Sequence, residues 1–154
     1  LTATDLLVIG IGNEFRQDDG AGLAVAERVR ALGMPGVEVL THHGEGTGLM
    51  ALWQGRSAVI VVDAVSSGKP VGTIHQIDAI HNEIPPDMTV YSSHAFGLAG
   101  AIELGRDLGD LPPVLWVLGI EGKNFSYGQS FSPEVAESLE RVVAQVIELA
   151  PTGT

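Results

Sequence analysis

The chain has 154 residues, 45% apolar and 18% charged, the composition of one globular domain over residues 1–154 rather than of a disordered segment. Eight lysines and arginines face nineteen aspartates and glutamates, and the net charge of −11 leaves no basic face for nucleic acid and disfavours anionic membranes. There is no cysteine, which excludes disulfides, thiolate catalysis, Cys-ligated zinc and Fe–S clusters.

In chain order, Leu6–Gly10 is a short apolar run ending at glycine and reads as a buried strand. Gly20–Leu32 sets Leu23, Ala26, Val29 and Arg30 at helical spacing, with Glu27 and Arg28 outward, and Gly33 and Pro35 stop the helix. Val37–Thr41 is a second strand, and Gly46–Gln54 a short helix with Leu49, Leu52 and Trp53 along one side. Ala58–Asp63 is apolar at every position until its aspartate, the pattern of a strand covered on both faces. After a turn at Gly68–Gly72, Gly72–Asp78 alternates as an edge strand does, and His81–Ser93, with Pro85 and Pro86, has no period and reads as a loop. Phe96–Leu108 is helical and ends at Gly109; Val114–Ile120 is a strand; Lys123–Phe131 is a loop. Ser132, Pro133 and Glu134 form a helix start, with serine at the N-cap, proline first and an acid in the first turn. That helix runs to about Leu149.

Alternating strands and helices imply an α/β chain, a three-layer αβα sandwich around a twisted, mostly parallel, five-stranded sheet. The longest apolar runs are strand-length, so no membrane span is expected, and no basic leader precedes Leu7. A cytoplasmic monomer is the expectation.

Ligands in such sheets sit at the carboxyl ends of the strands. Three polar segments fall there. The first is Gly10–Gly20, where the third glycine of a dinucleotide fingerprint is replaced by Phe15, so no phosphate cradle and no organic cofactor is expected. Asp18 and Asp19 lie within it, and Asp18 is equally well read as a helix cap. The second is Asp63, whose carboxylate would be costly to desolvate without a partner, or which serves a turn with Ser66, Ser67 and Gly68. The third is Ser92-Ser93-His94 at the mouth of a helix, whose dipole favours the neutral, metal-competent imidazole. The remaining histidines, His42, His43, His75 and His81, read as surface residues of loops and an edge strand. Two carboxylates and one imidazole would make an O,O,N site for a divalent cation.

The order Gly10-Ile11-Gly12-Asn13-Glu14-Phe15-Arg16-Gln17-Asp18-Asp19-Gly20, then Val62-Asp63-Ala64-Val65, then Ser93-His94-Ala95-Phe96-Gly97-Leu98, then Gly119-Ile120-Glu121 resembles the hydrogenase maturation endopeptidases, from Leu6 to about Leu149. The resemblance implies a hydrolase that removes the C-terminal extension of a nickel–iron hydrogenase large-subunit precursor after nickel insertion. It implies that Asp19, Asp63 and His94 are the catalytic and metal-reading residues, with nickel delivered by the substrate. Relatives often carry glutamate at the first position, so Asp19 reaches about one methylene less far. Many also read Asp-Gly-Gly-Thr where this chain has His43-Gly44-Glu45-Gly46-Thr47-Gly48. Metal polarisation of a carbonyl or water and acid/base action by one aspartate are both compatible with the set. Two alternatives carry other chemistry. A peptidyl-tRNA hydrolase-like esterase shares the Gly-x-Gly-Asn start but would need a basic face, and a non-enzymatic nickel-binding module would need a tighter ligand set.

Overall fold

The computed structural model describes residues 5–85, 88 and 96–151. The strands are β1 (Leu6–Ile11), β2 (Val37–His42), β3 (Ala58–Val65), β4 (Ile74–Asp78) and β5 (Val114–Glu121). The helices are α1 (Ala21–Leu32), α2 (Gly46–Trp53), α3 (Leu98–Leu108) and α4 (Pro133–Leu149), with a 3-10 turn at Gln17–Gly20. The expected α/β sandwich is thus present. Its five strands lie in the order β2-β1-β3-β5-β4, all parallel except β4, which runs antiparallel to β5 at one edge.

Each sheet face has its own core. Odd and even residues of β1 and β3 point to opposite faces, as the period of a strand requires. Leu6, Val8, Ile60 and Val62 pack with Val25 and Val29 of α1 and with Val135, Leu139, Val142 and Val146 of α4. Leu7, Ile9, Val59 and Val61 pack with Leu49 and Trp53 of α2 and with Ala101 and Ile102 of α3. Both faces of β1 and β3 are consumed, which is why these strands are apolar throughout.

The chain leaves β1 through α1 to β2, then returns through α2 to β3 on the other side of β1. The strand order therefore reverses at β1/β3, the position where a crevice opens in sheets of this kind. The helix approaches closely there. A Cβ on Gly22 of α1 would collide with the carbonyl oxygens of both Ile11 and Val62. The close helix–strand contact that a fingerprint glycine makes elsewhere is made in this chain by Gly22.

Several boundaries differ from the sequence reading. β3 continues two residues past Asp63 because Ala64 and Val65 still pair with Ile120 and Glu121. Arg30 is not part of the buried stripe of α1; its guanidinium is exposed, pairs with Glu27 and donates to the Val39 carbonyl at 3.0 Å. Ser132 stands at the N-cap of α4 but makes no side-chain cap bond, its hydroxyl being committed elsewhere. Among the described residues no helix is long and apolar enough to cross a membrane.

Candidate active site

Asp19 and Asp63 are brought to the same place by different means. β1 ends at Ile11, and the following loop folds back so that Asn13 N–H donates to the Asp19 carbonyl at 3.2 Å and Asp19 N–H to the Arg16 carbonyl at 3.1 Å. A Cβ on Gly12 would collide with the Asp19 carbonyl oxygen, so only glycine admits this return. Asp63 projects from β3 beside β1, opposite Gly119 of β5.

The two carboxylates repel one another. Burial pushes the Asp63 carboxyl well above the ordinary aspartate range, the Asp19 charge pushes it further, and a hydrogen bond from Ala64 N–H opposes both. Burial likewise raises Asp19, opposed by the Arg16 guanidinium, 3.7 Å away, and by a backbone bond with Asn13. Acids with raised pKa values at a switch point mark it as a candidate functional site. The third expected member, His94, lies outside the described residues, as do Ser92 and Ser93. Among the described residues no group of three or more His, Asp or Glu side chains converges as a metal site.

Phe96, two residues along the chain from His94, is fixed. Its carbonyl accepts from Gly46 N–H at 2.9 Å, and its ring lies where a Cβ on either Gly46 or Gly100 would stand. The mouths of α2 and α3 are thereby pinned together. Glu45 caps α2, accepting from the Thr47 hydroxyl and the Thr47 and Gly48 N–H groups, bonds that lower its pKa to about 2. Glu45 thus has a structural duty in the segment that departs from the relatives' pattern. Beside it His42, half-buried, accepts from Gly44 N–H at 2.9 Å and stacks on His43 at 4.5 Å between centroids.

The cap reading of Asp18 is overturned. Its side chain is fully buried and accepts from Lys123 N–H at 2.7 Å, Asn124 N–H at 2.9 Å, Ser132 N–H at 2.7 Å and the Ser132 hydroxyl at 2.8 Å. Burial alone would raise its pKa, but these four bonds outweigh it and hold the carboxyl below its usual range. Asp18 clasps the loop after β5 to the turn that carries Asp19.

The surface reading fails for His75 and His42. His75 faces Gly119 across the β4/β5 ladder, and its Nε2 lies 3.0 Å from Oε1 of the buried Glu121. Glu121 also accepts from Ser67 N–H at 3.0 Å and from the Ser67 hydroxyl. This trio ties the ends of β3, β4 and β5 together next to Asp63. The signal for Glu121 was in the sequence: like Asp63, it follows an apolar run, where an unpartnered carboxylate is costly. His81, by contrast, is exposed and pairs with Asp78 at 2.8 Å.

The sequence model of the family described as hydrogenase maturation protease matches residues 24–149. A Methanocaldococcus jannaschii protein provisionally named a hydrogenase maturation protease is 32% identical over 148 residues, 94% of this chain and 93% of that protein. The hydrogenase expression/formation protein HupD of Thiocapsa roseopersicina is 27% identical over 149 residues, covering 94% of this chain and 66% of its own length. The solution structure of an Escherichia coli endopeptidase superposes with a TM-score of 0.78 at 25% identity, over 93% of this chain and 90% of that one. The family match and the shared αβα fold together place the chain among hydrolases of the maturation-endopeptidase class. This chain belongs to the hydrogenase maturation protease family. That assignment displaces both the peptidyl-tRNA hydrolase and the non-enzymatic alternatives.

Proposed function

We propose that the enzyme cleaves the C-terminal extension from a nickel–iron hydrogenase large-subunit precursor once nickel is in place, reading that nickel through Asp19, Asp63 and His94. The observation that carries this is the placement of Asp19, in the turn after β1, and Asp63, on the adjoining β3, at the one point where the strand order reverses. Two acids held together at raised pKa values are relieved by a divalent cation, and two carboxylates with one imidazole leave coordination positions for the substrate's own ligands. Arg16, which already faces Asp19, offsets part of that charge before substrate arrives. Nickel here is part of the substrate, and no organic cofactor is needed. The same reading has the protein working in the cytoplasm as a monomer.

Ionised carboxylates dock the nickel-bearing end of the precursor, and docking aligns the scissile bond beside the site. Either carboxyl, both raised by burial, is an acid/base candidate should a proton be moved at the bond. Incubating the enzyme with precursor, with and without nickel, and reading intact mass tests the reading. Loss of the extension only from nickel-loaded precursor supports it. No cleavage of either form rejects it. Asp63→Asn separates the roles: docking predicts lost precursor binding, whereas a purely acid/base role predicts retained binding and lost turnover.

A further inference from the structure

Beside the acid pair the loop after β1 and the loop after β5 are joined by a single parallel β-bridge. Gly128 N–H donates to the Phe15 carbonyl and Gln17 N–H to the Gly128 carbonyl, both at 2.8 Å, with Arg16 and Gly128 in register. Gln17 holds a left-handed backbone, φ 51°, a conformation a non-glycine residue takes at some cost. Arg16 Nε donates to the Phe125 carbonyl at 3.2 Å, and the buried Asp18 carboxylate fastens residues 123, 124 and 132 beneath. The backbone is thus locked. What it displays is a pair of aromatic rings: Phe15 is 47% exposed and Tyr127 87% exposed, and with Gly128 and Gln129 they line a hollow of about 370 Å³.

We infer that Phe15 and Tyr127 form a subsite that receives an apolar side chain of the precursor segment flanking the scissile bond. The inference rests on the proposed function and adds to it a peptide-recognition element. Continuity supports it, because Phe15 lies four residues before Asp19 on one loop, and Arg16 between them both pairs with Asp19 and bridges to Gly128. Chemistry supports it as well. No lining residue is charged, so the hollow suits an uncharged side chain, and rigid aromatic rings give contact area at little entropic cost. Exposed aromatics can also stack nucleic-acid bases, but such platforms sit in basic grooves, and this chain carries a net charge of −11. A peptide is the occupant that fits.

The test is steady-state processing of nickel-loaded precursor by Phe15→Ser, Tyr127→Ser and, as control, Leu108→Ser, an equally surface-placed apolar residue at the end of α3 that is 61% exposed. The expected result is a rise in KM of roughly tenfold for the first two variants, with kcat retained and the control unchanged. Tyr127 is so exposed that its replacement cannot disturb the fold, so that variant stands even if Phe15→Ser is unstable. Wild-type KM in Tyr127→Ser, or a fall in kcat without change in KM, would overturn the subsite. A wild type that sediments as a dimer and a Tyr127→Ser variant that sediments as a monomer would assign the patch to a second copy instead. Retention of wild type but not Tyr127→Ser on single-stranded oligonucleotide would assign it to nucleic acid. If wild type leaves the precursor uncut, the proposed function falls and takes the subsite with it. If wild type cuts and the variants are unaffected, only the subsite falls.

Discussion

At the scale of single residues, Asp18 and Asp63 differ by what surrounds them. Asp18 has its folded pKa depressed, so its contribution to stability is present above the ordinary aspartate value of 3.8 and is lost as pH falls through the folded value. Asp18→Asn puts an amide N–H₂ against donors that need an acceptor, and should cost about 2–4 kcal/mol at neutral pH. Thermal melts from about pH 6 down to about pH 3 should show the gap between the two proteins narrowing with acid. A constant gap would mean that the clasp does not depend on ionisation.

Asp63 has the opposite sign. Its folded pKa is raised, so protonation favours the folded state, and that stability is present below 3.8 and lost as pH rises through the folded value. Wherever Asp63 is ionised, its charge is therefore a cost. Asp63→Asn removes the charge at nearly constant volume and should raise the midpoint at pH 7 by roughly 2–4 °C, the response of a chain this size to ~1 kcal/mol. A lower midpoint would show that the carboxylate is a structural partner. The same sign governs the proposed function: docking through ionised Asp19 and Asp63 predicts precursor binding that weakens with acid from a pH above the ordinary carboxylate range. Binding that stays flat until about pH 4 would remove the acid pair from the contact.

At the scale of elements, much was legible because local chemistry and tertiary packing agree. The apolar runs of β1 and β3 could only be strands covered on both faces, and the turn after Gly12 could only deliver polar residues to the carboxyl edge. That argument brought the Gly10–Gly20 segment and Asp63 to the carboxyl edge, and the family resemblance singled out Asp19 within the segment. Long-range partners were not legible. Nothing near Asp18 in sequence announces that its acceptors face residues 123, 124 and 132, more than a hundred positions away. His75 looked like an edge-strand surface residue because the antiparallel register that sets it opposite Gly119 is decided by tertiary pairing. His75→Ala should therefore not be silent. It removes one partner from the buried Glu121 and should cost about 1–3 kcal/mol, readable by urea unfolding; an unchanged midpoint would mean that the pair contributes nothing. Gly22→Ala is the sharper test of an element. A methyl there meets two backbone carbonyls that cannot step aside, so α1 must move off β1 and β3, with a loss of about 3 kcal/mol.

At the scale of the whole molecule, one topological fact organises the rest. The strand order reverses at β1/β3, and the acid pair, the clasp of Asp18, the brace of Glu121 and the aromatic hollow all gather at that end. On the proposed reading, the local charge of the acid pair is offset by a cation that arrives with the substrate. The net charge of −11 adds a long-range field that attracts a basic contact region and is screened by salt. The measurement that bears most directly on the account is intact mass of precursor after incubation with wild type and with Asp63→Asn, each with and without inserted nickel. The account predicts loss of the C-terminal extension in one case alone, wild type with nickel-loaded precursor. Equal cleavage of nickel-free precursor, or wild-type cleavage by Asp63→Asn, would contradict it.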